Sequence, residues 1–249
     1  MSHRGFTLLE VLVVAAVLVI LAALATAAVV SSRERADGTR CASNLRQLSG
    51  ANLLYAADHD GWYVPAQEPM NLVRWHGARK RIEIKFDPEL GPLAPYLGTD
   101  GKVQLCPTLR HILHGAKSFE DGTGGYGYNA AYIGGSIGDP FTPARIASIP
   151  RPAQTVMFTD TAFPRVDGLQ EYAYAEPRFS ENPVGRFRNG LSASVHFRHG
   201  GLANVAWCDG HVTSEEPRTI DQKNLYGGDA KKWHIGWFGP SDQNGPWRP

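Results

Sequence analysis

The side chains best suited to chemistry are carboxylates and histidines in the second half of the chain: Asp160, His199, Asp209 and His211. Hard cations prefer oxygen ligands, so Asp160 and Asp209 are candidate Ca²⁺ ligands, with His199 hydrogen-bonded behind them. The alternative is that Asp209 accepts backbone amides within its own turn, a common role for aspartate. We favour the turn and predict no cofactor, with Ca²⁺ as the alternative.

Short motifs for catalysis are present only in incomplete form. Residues 122–127 fit the dinucleotide-binding pattern G-x-G-x-x-G, but no βαβ unit surrounds them. Residues 134–138 fit the nucleophile elbow G-x-S-x-G, but the following Asp139-Pro140 disfavours the helix that this motif requires. The sequence contains neither H-E-x-x-H nor Cys-x-x-Cys. We therefore predict that the protein is not an enzyme.

The three cysteines are Cys41, Cys106 and Cys208, an odd number that permits one disulfide bond at most. Cys41 falls within a predicted helix. We therefore predict that Cys106 pairs with Cys208 if the domain lies outside the cytoplasm. The alternative is that the cysteines remain reduced and buried, which is common for free cysteine.

The element that must anchor these residues is an apolar run near the N-terminus. Residues 11–30 carry no charge, and Thr26 is the only polar side chain among them. As an α-helix, this run is about 30 Å long and matches the hydrocarbon core of a bilayer. Glu10 lies at its edge, where a carboxylate is costly if it is buried without a partner. The run predicts a transmembrane helix, with Glu10 either at the headgroup level or paired.

The start of this run reads GFTLLE over residues 5–10 and resembles the processing site of type IV prepilins and type II secretion pseudopilins. The resemblance implies that a prepilin peptidase/methyltransferase cuts after Gly5 and methylates Phe6. It implies that Glu10 pairs with the N-terminal amine of an adjacent subunit. It also implies a single-pass protein of the bacterial inner membrane, with its N-terminus in the cytoplasm and its globular domain outside.

A secretory signal peptide is the competing interpretation of the same stretch. Residues 25–27 read Ala-Thr-Ala and fit its cut site. Against this, the apolar run exceeds the ~7–15 residues of a signal core, and Glu10 occupies a position where a signal is apolar. We therefore prefer the prepilin interpretation.

The helix is predicted to continue past the membrane as an amphipathic segment. A stripe recurs at three- and four-residue spacing and consists of Cys41, Leu45, Leu48, Asn52 and Tyr55. We divide the chain into a leader (1–5), a transmembrane helix (6–30), its amphipathic continuation (31–60) and a β-rich globular domain (61–249). The net charge is +1, so no long-range field attracts nucleic acid.

The dipeptide Asp209-Gly210 lies between two β-rich runs and predicts a hairpin with a type I′ turn, in which both central residues have positive φ. His199 precedes Asp209 with nine residues between them. This stretch resembles the H-x₉-D-G domain found behind prepilin-type N-termini. The resemblance implies an α+β, pilin-like fold: a long N-terminal transmembrane helix packed on an antiparallel β-sheet domain with long loops.

Two classes of function follow. The resemblance implies a pseudopilin-type structural subunit of a type II secretion or type IV pilus-like envelope filament. Its partners would be other copies or other pseudopilins and the inner-membrane assembly machinery. The alternative is an envelope-anchored or secreted protein that binds a metal, or a sugar through its Trp and Tyr side chains.

Overall fold

The structure is a computed structural model that describes residues 7–113, 121–135, 142–181, 187–189, 191–220, 227–240 and 244–249. It has a long N-terminal apolar helix and a separate antiparallel β-sheet domain, which confirms the predicted α+β, pilin-like fold class. The α-helices among these residues are α1 (Leu8–Asp58) and α2 (Pro107–Ile112). The strands are β1 (Val73–Arg74), β2 (Gly77–Ala78), β3 (Tyr126–Tyr128), β4 (Val156–Asp160), β5 (Phe163–Arg165), β6 (Gly168–Gln170), β7 (Phe179–Glu181), β8 (Phe187–Asn189), β9 (Val195–His196), β10 (Ala203–Trp207), β11 (Val212–Glu215), β12 (Thr219–Ile220) and β13 (Ile235–Trp237).

Helix α1 has 51 residues and is about 77 Å long at the standard rise per residue. From Cys41 to Ala56 it buries a stripe against the domain, whereas large apolar side chains of its first half are exposed. The helix ends at Asp58. Gly61 has a φ of +80°, and its N–H donates to the carbonyl oxygen of Ala56 at 2.8 Å. This left-handed glycine turns the chain into the domain.

The sheet that supports α1 has four antiparallel strands in the order β11-β10-β4-β3. Strands β4 and β10 are buried along their whole length, and α1 packs on β4, β10 and β11. The Phe158 ring on β4 stacks on Tyr128 and meets Trp75 edge-on, with ring centroids 4.6 and 5.2 Å apart. These three aromatic side chains are among the largest that the core buries completely.

The remaining described strands form smaller antiparallel sheets around this core. Strands β12, β13 and β9 make a three-stranded sheet in the order β12-β13-β9, while β1-β2, β5-β6 and β7-β8 are two-stranded. Long connections join them, as the many Gly and Pro residues predict.

The predicted hairpin is present, but its predicted turn type is wrong. Strands β10 and β11 pair antiparallel, and the loop between Trp207 and His211 contains three residues. The Trp207 N–H donates to the carbonyl oxygen of His211, and the Gly210 N–H donates to that of Trp207. Of the two central residues, only Gly210 has positive φ, at +91°. A three-residue loop needs a single left-handed residue, which glycine supplies.

The predicted Cys106–Cys208 disulfide is also wrong. Cys41 is bonded to Cys106, with their Cα atoms 5.1 Å apart, and Cys208 is a buried free thiol. The prediction excluded Cys41 because it lies in a helix. In the structure, the buried face of α1 presents Cys41 directly to Cys106, which immediately precedes α2.

Candidate functional site

The start of α1 is fixed by two side chains that cap each other. Thr7 Oγ1 accepts a hydrogen bond from the Glu10 backbone N–H at 3.3 Å. Glu10 Oε2 in turn accepts from the Thr7 backbone N–H at 2.9 Å and from the Thr7 hydroxyl at 2.8 Å. This reciprocal arrangement is a capping box, which satisfies amide groups that the first helical turn leaves free. Gly5 and Phe6 lie outside the described residues.

The first half of α1 exposes its apolar side chains. Leu12, Leu18 and Leu24 are each about 60% exposed. Among the described residues, α1 is the one helix that is long and apolar enough to cross a membrane. An apolar surface of this extent requires lipid or other helices to cover it.

In the domain, Asp160 and Arg198 form a buried ion pair. Arg198 Nη2 donates to Asp160 Oδ1 at 2.6 Å, and both side chains are wholly buried. Burial alone would raise the pKa of Asp160. The neighbouring charges of Arg198 and His199, with the Asn204 amide, instead hold that pKa below its ordinary value. Asp160 is therefore an ionised carboxylate inside the core.

His199, the first residue of the H-x₉-D-G pattern, lies beside this ion pair. Its Nε2 atom is 3.2 Å from Asp160 Oδ2 and 3.7 Å from Cys106 Sγ. On the other side of the ring, Nδ1 is 3.4 Å from Thr108 Oγ1. The histidine thus connects the end of β4 to the disulfide that holds α1.

The other end of the pattern lies at the tip of the β10–β11 hairpin. Asp209 Oδ1 accepts from the His211 backbone N–H at 3.1 Å and lies 2.5 Å from His211 Nδ1. Asp160 is bonded to the opposite end of β10, where the Asn204 N–H donates to its Oδ2 at 2.8 Å. The structure therefore gives Asp160 and Asp209 separate partners and does not bring them together as a pair of calcium ligands. Asp209 has the turn role that we favoured.

Arg198 is the residue that sequence reasoning missed. It also donates to the carbonyl oxygens of Gly125 and Thr161, at 2.8 and 3.1 Å, and its Nε donates to Cys106 Sγ at 3.3 Å. Its only signal in the sequence is its place between two β-rich runs, next to His199. No local periodicity predicts that a charged side chain there turns inward.

Polar residues on the face of α1 that packs on the domain bind tyrosines of the sheet. Asn44 donates to the Tyr126 hydroxyl at 3.0 Å, and Asn52 donates to the Tyr128 hydroxyl at 3.2 Å. Asn52 Oδ1 also accepts from the Val64 N–H at 2.9 Å. These bonds fix both the rotation of α1 about its axis and its position along that axis relative to β3.

Comparisons with known proteins agree with the N-terminal features. Residues 1–26 match the family described as the prokaryotic N-terminal methylation motif. The chain is also 28% identical over 106 residues to the type II secretion system core protein G of Klebsiella michiganensis. That alignment covers 43% of this chain and 66% of the relative, just under two thirds of its length. No solved structure matches the chain.

Together, the methylation motif and this similarity support a prepilin-like, pseudopilin-type chain. The long apolar helix fits membrane anchoring of such a chain. Neither comparison shows a distinct C-terminal H-x₉-D-G domain.

Proposed function

We propose that this protein is a pseudopilin-type structural subunit of a type II secretion or type IV pilus-like envelope filament. In this proposal a prepilin peptidase cuts between Gly5 and Phe6 and the new N-terminal Phe6 is methylated. The α1 helices of neighbouring subunits then bundle in the filament core. The inner-membrane assembly machinery extracts the subunit, and the partners are other copies or other pseudopilins.

The observation that carries the proposal is where the motif lies. The methylation motif over residues 1–26 includes the start of α1, and the large apolar side chains of this part of the helix are exposed rather than packed on the domain. Lipid covers such a helix before assembly, and other helices replace the lipid afterwards. A structural subunit needs this exchange, whereas a permanently anchored binding protein does not.

Glu10 is suited to pairing with a second chain. Both hydrogen bonds from Thr7 go to Oε2, and among the described residues Oε1 receives none. Oε1 is therefore open to the Phe6 amine of a neighbour, while Oε2 continues to cap the helix. The pairing removes the cost of placing an isolated carboxylate among apolar helices.

In the proposed orientation, the N-terminus is cytoplasmic and the domain lies outside the cytoplasm. The Cys41–Cys106 disulfide supports this orientation, since disulfides persist in oxidising compartments. The cationic side chains Arg33, Arg35 and Arg40 lie on the domain side of the apolar run and Arg4 on the other, so charge bias alone does not determine it.

Intact-mass and N-terminal analysis of the protein recovered from membranes tests the proposal. The expected species comprises residues 6–249 and carries one added methyl group at Phe6. The Gly5→Leu variant should keep its leader, because the larger side chain obstructs cleavage. A change elsewhere in the leader, Ser2→Ala, is the matched control and should be processed normally.

A mature protein that begins near Ala28 would contradict the proposal and establish the signal-peptide alternative. The domain would then be released from the apolar helix and could not use it for assembly.

A further inference from the structure

Three segments that are distant in sequence bring two sulfurs and an imidazole together. Cys41 lies on the buried face of α1, Cys106 precedes α2, and His199 follows β9. The two Sγ atoms and a ring nitrogen of His199 all lie within 4.8 Å of one another. Two thiolates and one imidazole form a ligand set typical of zinc sites in proteins.

We infer that Cys41, Cys106 and His199 bind a thiolate-preferring divalent cation such as Zn²⁺ when the Cys41–Cys106 disulfide is reduced. The site is independent of the filament role proposed above. It also differs from the paired-carboxylate Ca²⁺ site considered from the sequence, since it uses soft ligands and excludes Asp209.

The distances suit such a site. With Zn–S bonds of about 2.3 Å and Zn–N bonds of about 2.0 Å, the ligand atoms of a tetrahedral site lie about 3.5–3.8 Å apart. His199 Nε2 is 3.7 Å from Cys106 Sγ and 3.2 Å from Asp160 Oδ2. After reduction the two sulfurs are free to separate by rotation about their Cα–Cβ bonds, and His199 Nε2 is already at this spacing from Cys106 Sγ.

The charges around the site also balance. Two thiolates and the Asp160 carboxylate carry three negative charges, and the dication together with Arg198 carries three positive charges. Arg198 contacts both Cys106 Sγ, at 3.3 Å, and Asp160 Oδ1, at 2.6 Å. A buried cluster is stable only when its charges are matched and hydrogen-bonded in this way.

A neighbouring side chain orients the histidine. Thr108 Oγ1 lies 3.4 Å from His199 Nδ1, the nitrogen that faces away from Cys106. Histidines that bind metals usually engage a second group through the other ring nitrogen, which sets the tautomer and the ring plane. Thr108 supplies that partner.

A groove gives access to the site from solvent. Cys41 and Cys106 are wholly buried, but the His199 side chain keeps 8% of its surface exposed. The groove beside it is lined by Gly38 and Ala42 of α1 and by Gly200. A side chain at Gly38 would meet the imidazole, because an added Cβ would lie 3.6 Å from His199 Nδ1. Glycine at position 38 leaves this path open.

The two states of the sulfur pair are related by a balanced reaction. A dithiol reductant gives up two electrons and two protons, becomes a disulfide itself, and leaves Cys41 and Cys106 as thiols. Binding of Zn²⁺ then releases both protons to solvent. Disulfide and metal site therefore exclude each other, and each ties α1 to the domain.

Cobalt binding by the full chain in detergent micelles tests the inference, because Co²⁺ bound by thiolates has diagnostic charge-transfer absorption. The protein is reduced with dithiothreitol, and the reductant is removed under anaerobic conditions before Co²⁺ is added. We expect one Co²⁺ per reduced chain, displaced by Zn²⁺, and none per oxidised chain. Cys106→Ser should abolish the charge-transfer band. The matched control Cys208→Ser should retain it, since Cys208 is a free thiol outside the cluster.

A second measurement covers variants that fail to fold. In the wild-type protein, Zn²⁺ should slow re-formation of the Cys41–Cys106 disulfide, and Thr108→Val should weaken Zn²⁺ affinity by about 10- to 100-fold. The inference is wrong if the folded, reduced wild type binds no Co²⁺ through thiolates, if Zn²⁺ leaves re-oxidation unchanged, or if Cys208→Ser removes the band.

Discussion

The two halves of α1 belong to one continuous helix, yet they are stabilised in different ways. Between residues 11 and 30 the helix is almost wholly apolar, and those of its side chains that the structure describes are exposed. From Cys41 to Ala56 it contains Asn44, Ser49 and Asn52, and its inner face is buried against the sheet. The more polar half is the one that the domain covers.

The difference shows that the most apolar part of the helix is not the part that packs against the protein's own domain. The inner half of α1, residues 41–56, is held to the domain by a disulfide at Cys41 and by hydrogen bonds from Asn44 and Asn52 to tyrosine hydroxyls. Such bonds fix one orientation of the helix. The outer half of α1, residues 11–30, has no comparable partners among the described residues. It is therefore suited to exchange lipid for neighbouring helices. Variants that destabilise one half without affecting the other test this comparison.

The largest effect is expected from Arg198→Met, which should leave Asp160 buried and unpaired. We expect the domain to lose about 3–5 kcal/mol of unfolding free energy. All six tryptophans follow residue 61, so tryptophan fluorescence during denaturation in micelles reports on the domain alone. The exposed Lys102–Glu89 ion pair supplies the control, and Lys102→Met should leave the transition unchanged. Equal effects of the two changes would show that the buried pair does not hold the domain together.

A smaller loss is expected from Asn52→Leu on the inner half of α1. This change removes the acceptor of the buried Val64 N–H and the donor to the Tyr128 hydroxyl. An unsatisfied buried amide costs about 1–3 kcal/mol, and the same fluorescence transition measures it. Leu12→Ala, on the outer half, is the matched change and should leave the domain's stability unaltered. If Leu12→Ala lowered the unfolding free energy of the domain by a similar amount, the two halves would not differ as described.

The smallest of these effects concerns pH. Burial, together with the charges of Arg74 and Arg79, lowers the pKa of His76 to about 3. Between about pH 6.5 and 3, His76 is protonated in the unfolded chain but neutral in the folded chain. The free energy of unfolding therefore decreases as the pH falls from about 6.5 towards 3. Burial raises the pKa values of Glu171 and Glu176 and acts in the opposite direction.

The contribution of His76 is therefore measured as a difference. We expect the pH slope of wild-type stability to exceed that of His76→Gln by about 1.4 kcal/mol per pH unit between pH 5 and 6. The outer half of α1 has no titratable group between residues 11 and 30, so its helicity in membranes should not change over this range. Identical slopes for the two proteins would mean that His76 takes up its proton in the folded state.

Local patterns predicted the features that depend on neighbouring residues. The apolar run predicted the exposed half of α1. Asp209-Gly210 predicted the hairpin. Its turn type was wrong because loop length, which depends on how β10 pairs with β11, selects the turn.

Features that depend on distant contacts were not predictable in this way. Cys41 pairs with Cys106 because α1 packs beside α2, and nothing within either segment specifies that contact. Arg198 turns inward because Asp160, Gly125 and Thr161 surround it, and each of them lies at least 37 positions from Arg198 in the sequence. Asp160, on β4, is bonded to Asn204 near the start of β10, whereas Asp209 follows the end of β10. The pairing of these strands therefore separates the two carboxylates.

The central claim is that the outer half of α1 is an assembly surface that uses the charge of Glu10. Crosslinking in membranes of cells that also make a prepilin peptidase tests it most directly, with Glu10→Gln as the variant. Glutamine preserves the capping box but removes the charge, so the helix start remains intact. The account predicts that Glu10→Gln is inserted and processed but remains monomeric, whereas wild type and the exposed control Glu34→Gln form ladders of crosslinked multimers. A normal ladder from processed Glu10→Gln would contradict the account.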